Sequence, residues 1–477
     1  MNSQISFILN DTLIETEINP ATVVLDFIRN NRLTGTKEGC KEGDCGACTI
    51  LVGETINDKL VYKAVNSCLL PIGNVSGKHL VTIEGLNCEK NVLNPIQQAF
   101  VDEGATQCGF CTPGFIVSMT GYLLNNSGLR ETDLINSLDG NICRCTGHNS
   151  IIRAAEKIYN NFNHSLIENK YNLKNLTENK FIPEYFLSIK KRLEKLTSSK
   201  ITRGNSNIDF LVSNGTDLFV QKPDEMMKSG LKLLQNDNDL NGINIVNGEC
   251  IIGSNTTVSD IQDSDILKKY FPDINKFILL FGSAPIRNSA SVGGNLNNAS
   301  PIGDMTNFFM ALNSVVTLTD GSSNRDIPLK KYYLSYKKTV RKQDEIMKCI
   351  MFKLPQGKYF FNFEKVSKRT YLDIASVNTS VLIYMEKNII SEIHLSAGGV
   401  SAIPLYLAET CEFLTGKVLN IVNVKKAVVI AQTEISPITD ARGSAEYKRL
   451  LLTRLIFTHF LVLFPEIFKA EDTYERL

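Results

Sequence analysis

The sequence carries almost no net charge and contains no long hydrophobic run. Lys and Arg total 51 against 50 Asp and Glu, which leaves a net charge of +1 over 477 residues. That balance disfavours attraction of the whole molecule to nucleic acid or to a membrane. No stretch reaches the roughly 18 uncharged apolar residues that indicate a transmembrane helix. The N-terminus lacks the basic segment and apolar core of a secretory signal, so we expect a cytoplasmic protein.

Several common enzyme signatures are also missing. No G-x-G-x-x-G motif follows a strand pattern, which excludes the Rossmann fingerprint, and no G-x-S-x-G marks a nucleophilic serine. The five histidines have no partner at metal-ligand spacing, so a histidine metal centre is not indicated. The distinctive residue is cysteine, with 12 in the chain and most of them before residue 146. Without a secretion signal, clustered cysteines are more often metal ligands than disulfides.

The first cysteine set lies in a glycine-rich loop. Its C-x4-C-x2-C spacing, followed by a distant fourth cysteine, is typical of plant-type [2Fe–2S] sites. Gly39, Gly43 and Gly46 would let the backbone take positive φ and bring its N–H groups to the sulfurs. Zinc sites usually show two C-x2-C pairs and need no such glycines, so iron–sulfur chemistry is favoured. The members of this set are Cys40, Cys45, Cys48 and Cys68.

A second cysteine set follows a C-x2-C … C-x-C pattern. Four thiolates at this spacing suit either zinc or another [2Fe–2S] cluster, and the spacing alone leaves both open. Proximity in sequence to a plant-type site favours iron–sulfur. Cys88 matches neither set and is expected to be a small buried hydrophobe. The members of the second set are Cys108, Cys111, Cys143 and Cys145.

Hydrophobic periodicity predicts a small mixed sheet followed by a helical bundle. Alternating residues indicate a hairpin, and a helix and two further strands follow. Helices are then predicted from Pro95, from Thr112 and over 151–162. The polar, Asn- and Lys-rich residues 164–180 predict a linker. The predicted elements of the sheet part are 5–9, 13–18, 21–31, 49–52 and 59–61.

The second half mixes strand and helix patterns. Residues 282–304 are nearly all small or turn-forming, which predicts a long loop. Such a loop is either a backbone N–H cradle for phosphates or an exposed flexible segment. Tyr332, Tyr333 and Tyr336 are expected to form a packing patch. A further α+β unit is predicted from a hairpin and two helices at 381–384, 389–395, 406–415 and 445–460.

Four groups of motifs, taken in order, resemble one known family. GCKEGDCGACT, QCGFCTPGF and NICRCTG are similar to the cluster motifs of the small subunits of bacterial xanthine dehydrogenases, within the molybdenum hydroxylases. SNGTDL and PIRNSASVGGNLNNASPIGD resemble that family's two flavin loops. FEKVSKRTYLDIA and SPITDARGSAEYKRLLL resemble segments of its C-terminal flavoprotein part. The resemblance extends over essentially the whole chain.

The resemblance implies a multidomain α+β architecture. Residues 1–85 would form a plant-type β-grasp ferredoxin domain, and residues 86–163 a four-helix [2Fe–2S]-binding domain. After the linker, residues 181–357 would form an FAD-binding PCMH domain of the vanillyl-alcohol-oxidase type. Residues 358–477 would form a smaller α+β domain like the C-terminal domain of CO dehydrogenase flavoproteins.

The resemblance also implies the cofactor contacts. The two cysteine sets would hold two [2Fe–2S] clusters, and Glu42 and Gly43 would face the flavin. Asn214, in the first flavin loop, stands where many relatives have Gly, but Asn tolerates a left-handed backbone. The other residues implied to contact FAD are Leu211, Val212, Ser213, Gly215, Thr216, Asp217, Leu218, Phe281, Gly282, Ser291, Gly294, Asn295, Asn297, Asn298, Asp304, Lys365 and Asp373.

The function implied by the resemblance is electron transfer. In this family, electrons from a molybdenum centre on another chain pass through the helical-domain cluster, the plant-type cluster and FAD to NAD⁺. The chain would thus be the electron-transfer subunit of a xanthine dehydrogenase oxidising hypoxanthine and xanthine to urate, with a large molybdopterin-binding partner in a heterotetramer. The cofactors perform the chemistry, so no catalytic residue is assigned. Two alternatives stay open: a related subunit serving aldehydes or other N-heterocycles, and a non-catalytic zinc-and-thiol interaction protein.

Overall fold

The computed structural model describes residues 2–89, 92–125, 130–166, 173–196, 201–203 and 208–473. The chain divides into two compact units. The first contains Met1–Asp237 and Ser283–Ala290, and the second contains Asn238–Gly282 and Ser291–Leu477. Within the described ranges, no helix combines the length and apolar character needed to cross a membrane. Helices and sheets are mixed in both units, which confirms the predicted α+β class.

The first unit begins with a five-stranded sheet and one helix. The strands run in the order β2-β1-β5-β3-β4, where β1 and β5 are parallel and the other pairs antiparallel; the elements are β1 (Ser3–Leu9), β2 (Thr12–Ile18), α1 (Val24–Asn30), β3 (Thr49–Ile56), β4 (Lys59–Asn66) and β5 (His79–Val81). Alternating burial along β1 places Phe7 edge-on against Phe27 of α1, with ring centroids 5.6 Å apart. The predicted hairpin, helix and strand pair are confirmed.

A helical bundle packs on one face of this sheet. It comprises α2 (Pro95–Asp102), α3 (Thr112–Asn125), α4 (Glu131–Asn136) and α5 (Asn149–Leu166). Asn94 and Gln97 form a capping box at the start of α2, and Pro95 occupies its first turn. Phe115 of α3 shares a buried core with Tyr62 of β4. The predicted helical domain is therefore confirmed.

The described residues of the polar segment 164–180 include helix. Helix α5 continues to Leu166, and a short helix, α6 (Leu173–Glu178), follows. Leu176 is 2% exposed and lies in the core of the helical bundle. One inward-facing leucine anchors this turn of helix, so part of the predicted linker is helical. Residues 167–172 lie outside the described part of the chain.

The rest of the first unit adds a small sheet to the other face of the first one. Its elements are α7 (Phe186–Leu193), β6 (Thr202–Arg203), β7 (Phe210–Val212), α8 (Leu218–Gln221), α9 (Pro223–Lys228) and β8 (Leu231–Leu233). The strand order is β6-β8-β7, with β7 and β8 parallel. Val212 and Leu233 are buried in one core with Ile5 and Val24. This packing fixes the point at which the loop after β7 begins.

The segment Ser283–Ala290 also belongs to the first unit. Arg287 is 3% exposed, and its guanidinium pairs with the Asp139 carboxylate at 2.5 Å. The amide of Asn288 donates to the Ala64 carbonyl at 2.9 Å. The segment is thus bonded both to the helical bundle and to strand β4.

The second unit opens with another five-stranded sheet. Its strand order is β12-β11-β15-β10-β9, and β13 and β14 form a separate pair; the elements are β9 (Ile243–Val246), β10 (Glu249–Gly253), α10 (Val258–Asp263), α11 (Asp265–Tyr270), α12 (Ile274–Ile278), α13 (Ala284–Arg287, in the first unit), α14 (Val292–Asn298), α15 (Asp304–Ala311), β11 (Val315–Thr319), β12 (Asn324–Pro328), β13 (Tyr333–Ser335), β14 (Lys338–Thr339) and β15 (Ile346–Lys353). All of the pairings in this five-stranded sheet are antiparallel.

Residues 282–304 do not form one long loop. They contain α13 and α14, so the loop prediction is wrong at these two helices. The Ser283 hydroxyl accepts from the Ile286 N–H at 3.4 Å, and the Ser291 hydroxyl accepts from the Gly294 N–H at 3.1 Å. Serine caps satisfy the free N–H groups of a helix start, which stabilises helices in a sequence of low intrinsic helix propensity.

The second unit ends in a four-stranded sheet covered by helices. The strand order is β16-β17-β18-β19; the elements are β16 (Tyr359–Val366), β17 (Val377–Glu386), β18 (Ile389–Gly398), β19 (Leu405–Tyr406), α16 (Ala408–Leu414), α17 (Ile421–Glu434) and α18 (Ala445–Leu463). Val381 and Leu452 lie in the core between this sheet and its helices. The hairpin and both predicted helices are confirmed, whereas α17 was not among the predicted elements.

Two smaller expectations need correction. Tyr332 and Tyr333 are buried and pack together with ring centroids 5.2 Å apart, but Tyr336 is 62% exposed. Cys88 is not fully buried; it is partly exposed and its thiol donates to the Lys180 carbonyl at 3.2 Å.

Candidate functional site

The sulfurs of the first cysteine set meet in two pairs. The Cys45 thiol donates to the Cys40 sulfur, and Cys48 and Cys68 are hydrogen-bonded to each other. The N–H groups of Glu42 and Cys45 also donate to the Cys40 sulfur, each at 3.4 Å. The thiol donor lowers the pKa of Cys40 to about 4 despite partial burial. The same hydrogen bond raises the pKa of Cys45, so the pair shares one proton, which a bound metal would have to displace.

Glycine is required in this loop for space and for conformation. Gly43 and Gly46 have φ values of 81° and 68°, which side chains rarely adopt. A Cβ atom on Gly39 would lie 2.7 Å from the Cys45 sulfur. The loop therefore passes too close to its own sulfurs to carry a side chain at this point, as an iron–sulfur loop requires.

The second cysteine set has the same paired arrangement. The Cys145 and Cys108 sulfurs are 3.5 Å apart, and Cys143 is hydrogen-bonded to Cys111. Thr146 donates to the Cys143 sulfur from its N–H at 3.3 Å and from its hydroxyl at 3.1 Å. Burial raises the pKa of Cys111 to about 12. Bound iron would have to displace that proton.

Paired sulfurs suit a two-iron cluster. Across the described residues, no group of three His, Cys, Asp or Glu side chains is spaced to hold a single metal ion. The observed contacts join the sulfurs two by two in both sets. A [2Fe–2S] cluster takes four thiolates, two on each iron, so the donor atoms and their backbone N–H partners fit this group.

The two sets are in contact. The Ile142 N–H donates to the Cys45 carbonyl at 3.0 Å, which ties the loop of the second set to that of the first. Both sets lie within the first compact unit.

The first expected flavin loop follows β7 in the same unit. Its left-handed residue is Gly215, with φ of 80°, rather than Asn214. Asn214 is buried and its amide donates to the Ser289 carbonyl at 2.7 Å, so this departure from the family pattern serves to hold the loop. The Ser213 carbonyl accepts from Asn74 at 2.7 Å. The remaining residues of the loop, Leu211, Thr216, Asp217 and Leu218, are half-buried, and Val212 is buried.

Glu42 and Gly43, the other first-unit residues implied to face the flavin, differ in their exposure to solvent. Gly43 is buried, and a Cβ there would meet Leu69 at 2.7 Å and Ile286 at 2.9 Å. Glu42 is exposed to solvent. Gly43 therefore touches the segment that carries Ser289, the partner of Asn214.

In the second unit, the second flavin loop is the start of α14. Ser291 is buried and caps this helix, and Gly294 lies exposed in its first turn. Seven buried side-chain atoms of the described residues have no hydrogen-bond partner, and two of them lie in these loops: Ser213 Oγ in the first unit and Asn295 Oδ1 in the second. Buried polar atoms normally have partners, so both loops fit a polar ligand such as FAD.

Asn297 and Asn298, which follow in the chain, both accept hydrogen bonds from other side chains of the protein. The Asn297 carbonyl oxygen accepts from the Tyr332 hydroxyl at 2.7 Å. The Lys337 ammonium donates to Asn298, to its backbone oxygen at 2.8 Å and its side-chain oxygen at 2.6 Å. Phe281 and Gly282, expected near the isoalloxazine, are half-buried.

Lys365 and Asp304 form a buried ion pair. Their charged atoms are 2.7 Å apart and the Lys365 side chain is 2% exposed. Lys365 also donates to the Leu280 carbonyl at 2.7 Å, next to Phe281. Asn378 completes the group by donating to Asp304 at 2.5 Å. Asn378 begins a polar run with Thr379 and Ser380 at the start of β17, and this pattern gives no cue to its partner.

Asp373 is held separately. Burial opposes its ionisation, but the N–H groups of Arg369 and Ile374 donate to its carboxylate at 3.0 and 2.9 Å and lower its pKa. Its hydrogen bonds are thus to its own loop.

Four family models match the chain in order. The 2Fe-2S iron-sulfur cluster binding domain matches residues 7–72, and the [2Fe-2S] binding domain matches residues 82–156. The FAD binding domain in molybdopterin dehydrogenase matches residues 191–355, and the CO dehydrogenase flavoprotein C-terminal domain matches residues 362–463. The chain therefore contains [2Fe–2S]-binding and FAD-binding domains.

Curated relatives match almost the whole chain. Xanthine dehydrogenase 1 of Arabidopsis thaliana is 28% identical over 95% of this chain and 39% of its own length. Xanthine dehydrogenase of Dictyostelium discoideum is 26% identical over 98% of this chain and 41% of its own length. The chain thus spans about two fifths of the length of the curated relatives it matches.

A solved structure supports the fold. Carbon monoxide dehydrogenase from Hydrogenophaga pseudoflava, in a form lacking the Mo-pyranopterin moiety, aligns with a TM-score of 0.51 at 20% identity, over 54% of this chain and 90% of that one. The matched domains make the chain one that carries two iron–sulfur-binding domains and an FAD-binding domain of the kind found in molybdopterin dehydrogenase. The chain is homologous to the N-terminal region of xanthine dehydrogenases.

Proposed function

We propose that the chain is the electron-transfer subunit of a xanthine dehydrogenase, with NAD⁺ as the electron acceptor. Support comes from the xanthine dehydrogenases that match it over nearly its whole length. The observation that carries the proposal is the contact between two paired four-cysteine sets in one compact unit. A module with two one-electron sites and a flavin loop suits a relay rather than a site of substrate hydroxylation.

The proposed cofactors are two [2Fe–2S] clusters, one on each cysteine set, and one FAD on the residues named above. When bound, iron–sulfur clusters carry single electrons and a flavin exchanges one or two, so together they convert one-electron steps into hydride chemistry. The chain's own residues hold and tune them. Backbone N–H groups of Glu42, Cys45 and Thr146 donate to the ligand sulfurs. Ser213 and Asn295 each have a buried oxygen available to a polar cofactor.

The proposed partner is a large molybdopterin-binding subunit, in a cytoplasmic heterotetramer. The four family matches, among them the FAD binding domain in molybdopterin dehydrogenase over residues 191–355, support a partner of this kind. Those matches also support the proposed division into domains at 1–85, 86–163, 181–357 and 358–477, with 164–180 between the second and third.

The test is co-purification of the tagged chain with its native partner, followed by an assay with xanthine and NAD⁺. Reduction of NAD⁺ by the complex, and none by the chain alone, is the expected result. Activity with aldehydes or another N-heterocycle but not xanthine would contradict the proposed substrate and leave the electron-transfer role in place. Zinc without iron in the isolated chain would contradict the role itself, for which about four irons and one flavin per chain are expected.

A further inference from the structure

One buried asparagine joins the two cysteine sets. Asn141 is 3% exposed and lies two residues before Cys143. Its amide group donates to the Gly46 carbonyl at 3.0 Å and to the Thr49 hydroxyl at 3.2 Å. Its oxygen accepts from the Ser118 hydroxyl at 2.7 Å. A single side chain thus connects the loop of the first set, strand β3 and helix α3.

The residue after Asn141 makes a backbone bond to a ligand residue of the first set. The Ile142 N–H donates to the Cys45 carbonyl at 3.0 Å. Ile142 is itself bonded to Cys143 of the second set. A continuous connection therefore runs from one set to the other through peptide bonds and one hydrogen bond.

The backbone segments around this bond lie too close together for side chains. A Cβ atom on Gly46 would lie 2.1 Å from the Gly140 carbonyl oxygen, and one on Gly114 would lie 2.4 Å from the Gly46 carbonyl oxygen. Atoms at that separation overlap, so backbone would have to move. The hydrogen bonds of Asn141 are made where the backbone is packed most closely. Together they restrict how the two loops can shift relative to each other.

We propose that Asn141 is the positioning residue that sets the electronic coupling between the two iron–sulfur sites, because it holds the Ile142–Cys45 hydrogen bond in place. This rests on the proposed function, since it needs a cluster on each set. A path of covalent and hydrogen bonds gives stronger electronic coupling between two redox centres than a gap between atoms that are not bonded. Removing the amide breaks two hydrogen bonds at the first loop and leaves the Ser118 hydroxyl without its acceptor.

The test compares Asn141→Ala with Asn94→Ala in the full chain carrying iron and sulfide. Asn94 is also buried, at 2% exposed, but it caps α2 and bonds to Leu86 and Gln97. With both clusters chemically reduced, low-temperature electron paramagnetic resonance measures the magnetic interaction between them. We expect the exchange part of the interaction splitting, which depends on the bonded path, to be lost in Asn141→Ala and kept in Asn94→Ala, with iron content equal to the unmodified chain in both.

A milder variant covers the case in which Asn141→Ala does not retain iron. Ser118→Ala removes one of the three bonds of Asn141 and is expected to reduce the splitting without abolishing it. The proposal is overturned if the splitting is unchanged in Asn141→Ala. If Asn141→Ala does not retain iron, an unchanged splitting in Ser118→Ala overturns it. Equal loss in Asn94→Ala, or no splitting in an unmodified chain that holds both clusters, overturns it as well. An unmodified chain unable to bind about four irons overturns the proposed function instead.

Discussion

At the scale of single residues, the chemistry of the molecule is concentrated in sulfur atoms and in the few groups that point at them. Cys40 receives two backbone N–H groups and one thiol, and Cys143 receives two donors from Thr146. Donors of this kind stabilise negative charge on sulfur, which favours both metal binding and the reduced state of a bound cluster.

Loss of one ligand should remove one cluster and leave the other. In Cys68→Ser, we expect iron to fall from about four to about two per chain, since each [2Fe–2S] site needs four thiolates. Iron analysis and paramagnetic resonance of the reduced protein would show it. Cys88→Ser is the matched control, because Cys88 belongs to neither set and is expected to leave iron unchanged. Retention of both resonance signals in Cys68→Ser would contradict the assignment.

The buried ion pair of Lys365 and Asp304 should be sensitive to the loss of either partner. Removing one leaves an uncompensated buried charge, which typically costs about 3–5 kcal/mol. We predict that Lys365→Met releases flavin at a lower temperature than the unmodified chain, followed by flavin fluorescence. The double variant Lys365→Met/Asp304→Asn should lose less than the sum of the two single losses. Simple additivity would mean that the 2.7 Å contact contributes no coupling.

At the scale of elements, the flavin loops show where local sequence patterns lose their power. Residues 282–304 have the composition of a loop, yet two hydroxyl caps convert parts of it into helix. Similarly, Asn214 would tolerate a left-handed backbone, but the residue that adopts it is Gly215. A short motif indicates that the chain turns. Which residue takes the left-handed conformation depends on contacts such as the hydrogen bond from Asn214 to Ser289.

Replacing Gly215 should disturb the loop after β7 by more than its left-handed backbone angle alone would cause. Gly215 and Gly248 have nearly the same φ, 80° and 81°, so alanine at either position meets a left-handed penalty of about 1–2 kcal/mol. A Cβ on Gly215 would also lie 2.5 Å from the Phe219 ring, whereas nothing lies within 4 Å of one on Gly248. We predict weaker FAD binding in Gly215→Ala than in Gly248→Ala, measured by fluorescence titration. Equal affinities would argue against a flavin role for this loop.

A buried histidine joins α18 to strands β16 and β17. His459 is fully enclosed, with its ring nitrogens 2.8 Å from the Thr379 hydroxyl and 3.0 Å from the Asn362 amide. Burial lowers the pKa of His459 to about 3, from a usual value of 6.5. The folded ring stays neutral where the unfolded chain would bind a proton. Its contribution to stability is therefore complete above pH 6.5 and is lost as the pH falls towards 3.

The pH dependence of unfolding should report this residue. We predict that the melting temperature falls between pH 6.5 and pH 4 in the unmodified chain, and falls less steeply in His459→Gln, which cannot be protonated in this range. His79, whose pKa burial also lowers to about 3, remains in the variant, so the slope is reduced rather than abolished. Identical slopes would show that His459 is not a source of acid sensitivity.

At the scale of the whole molecule, sequence spacing predicts which cysteines come together but does not predict the partners of the residues implied to contact FAD. Cysteine ligands come in short motifs, and their chemistry requires proximity, so the two sets are visible from the sequence. The pairing of Lys365 with Asp304 joins residues 61 positions apart, and that of Asn378 with Asp304 joins residues 74 apart. No local pattern encodes such partners, because long-range side-chain contacts are settled by the packing of complete sheets.

Iron should stabilise one part of the chain selectively. Metal that binds only the folded state adds its binding free energy to folding. We predict that chelating the iron accelerates amide hydrogen exchange in 39–48, 107–111 and 143–146 and leaves the β17–β18 hairpin unchanged. Hydrogen-exchange mass spectrometry of the apo and iron-loaded full chain measures this. Uniform acceleration in both regions would indicate global loosening instead of local ligand loss.

The return of Ser283–Ala290 to the first unit has a consequence for how this polypeptide can be divided. A fragment ending at Asp237 would lack those eight residues, and the remainder would carry them without their neighbours. Arg287, 3% exposed in the intact chain, and Asp139 would then lose the ion pair that joins them. Gene fission at the apparent boundary between modules would therefore yield two incomplete products. Evolution could separate these modules only after rebuilding one short stretch of sequence.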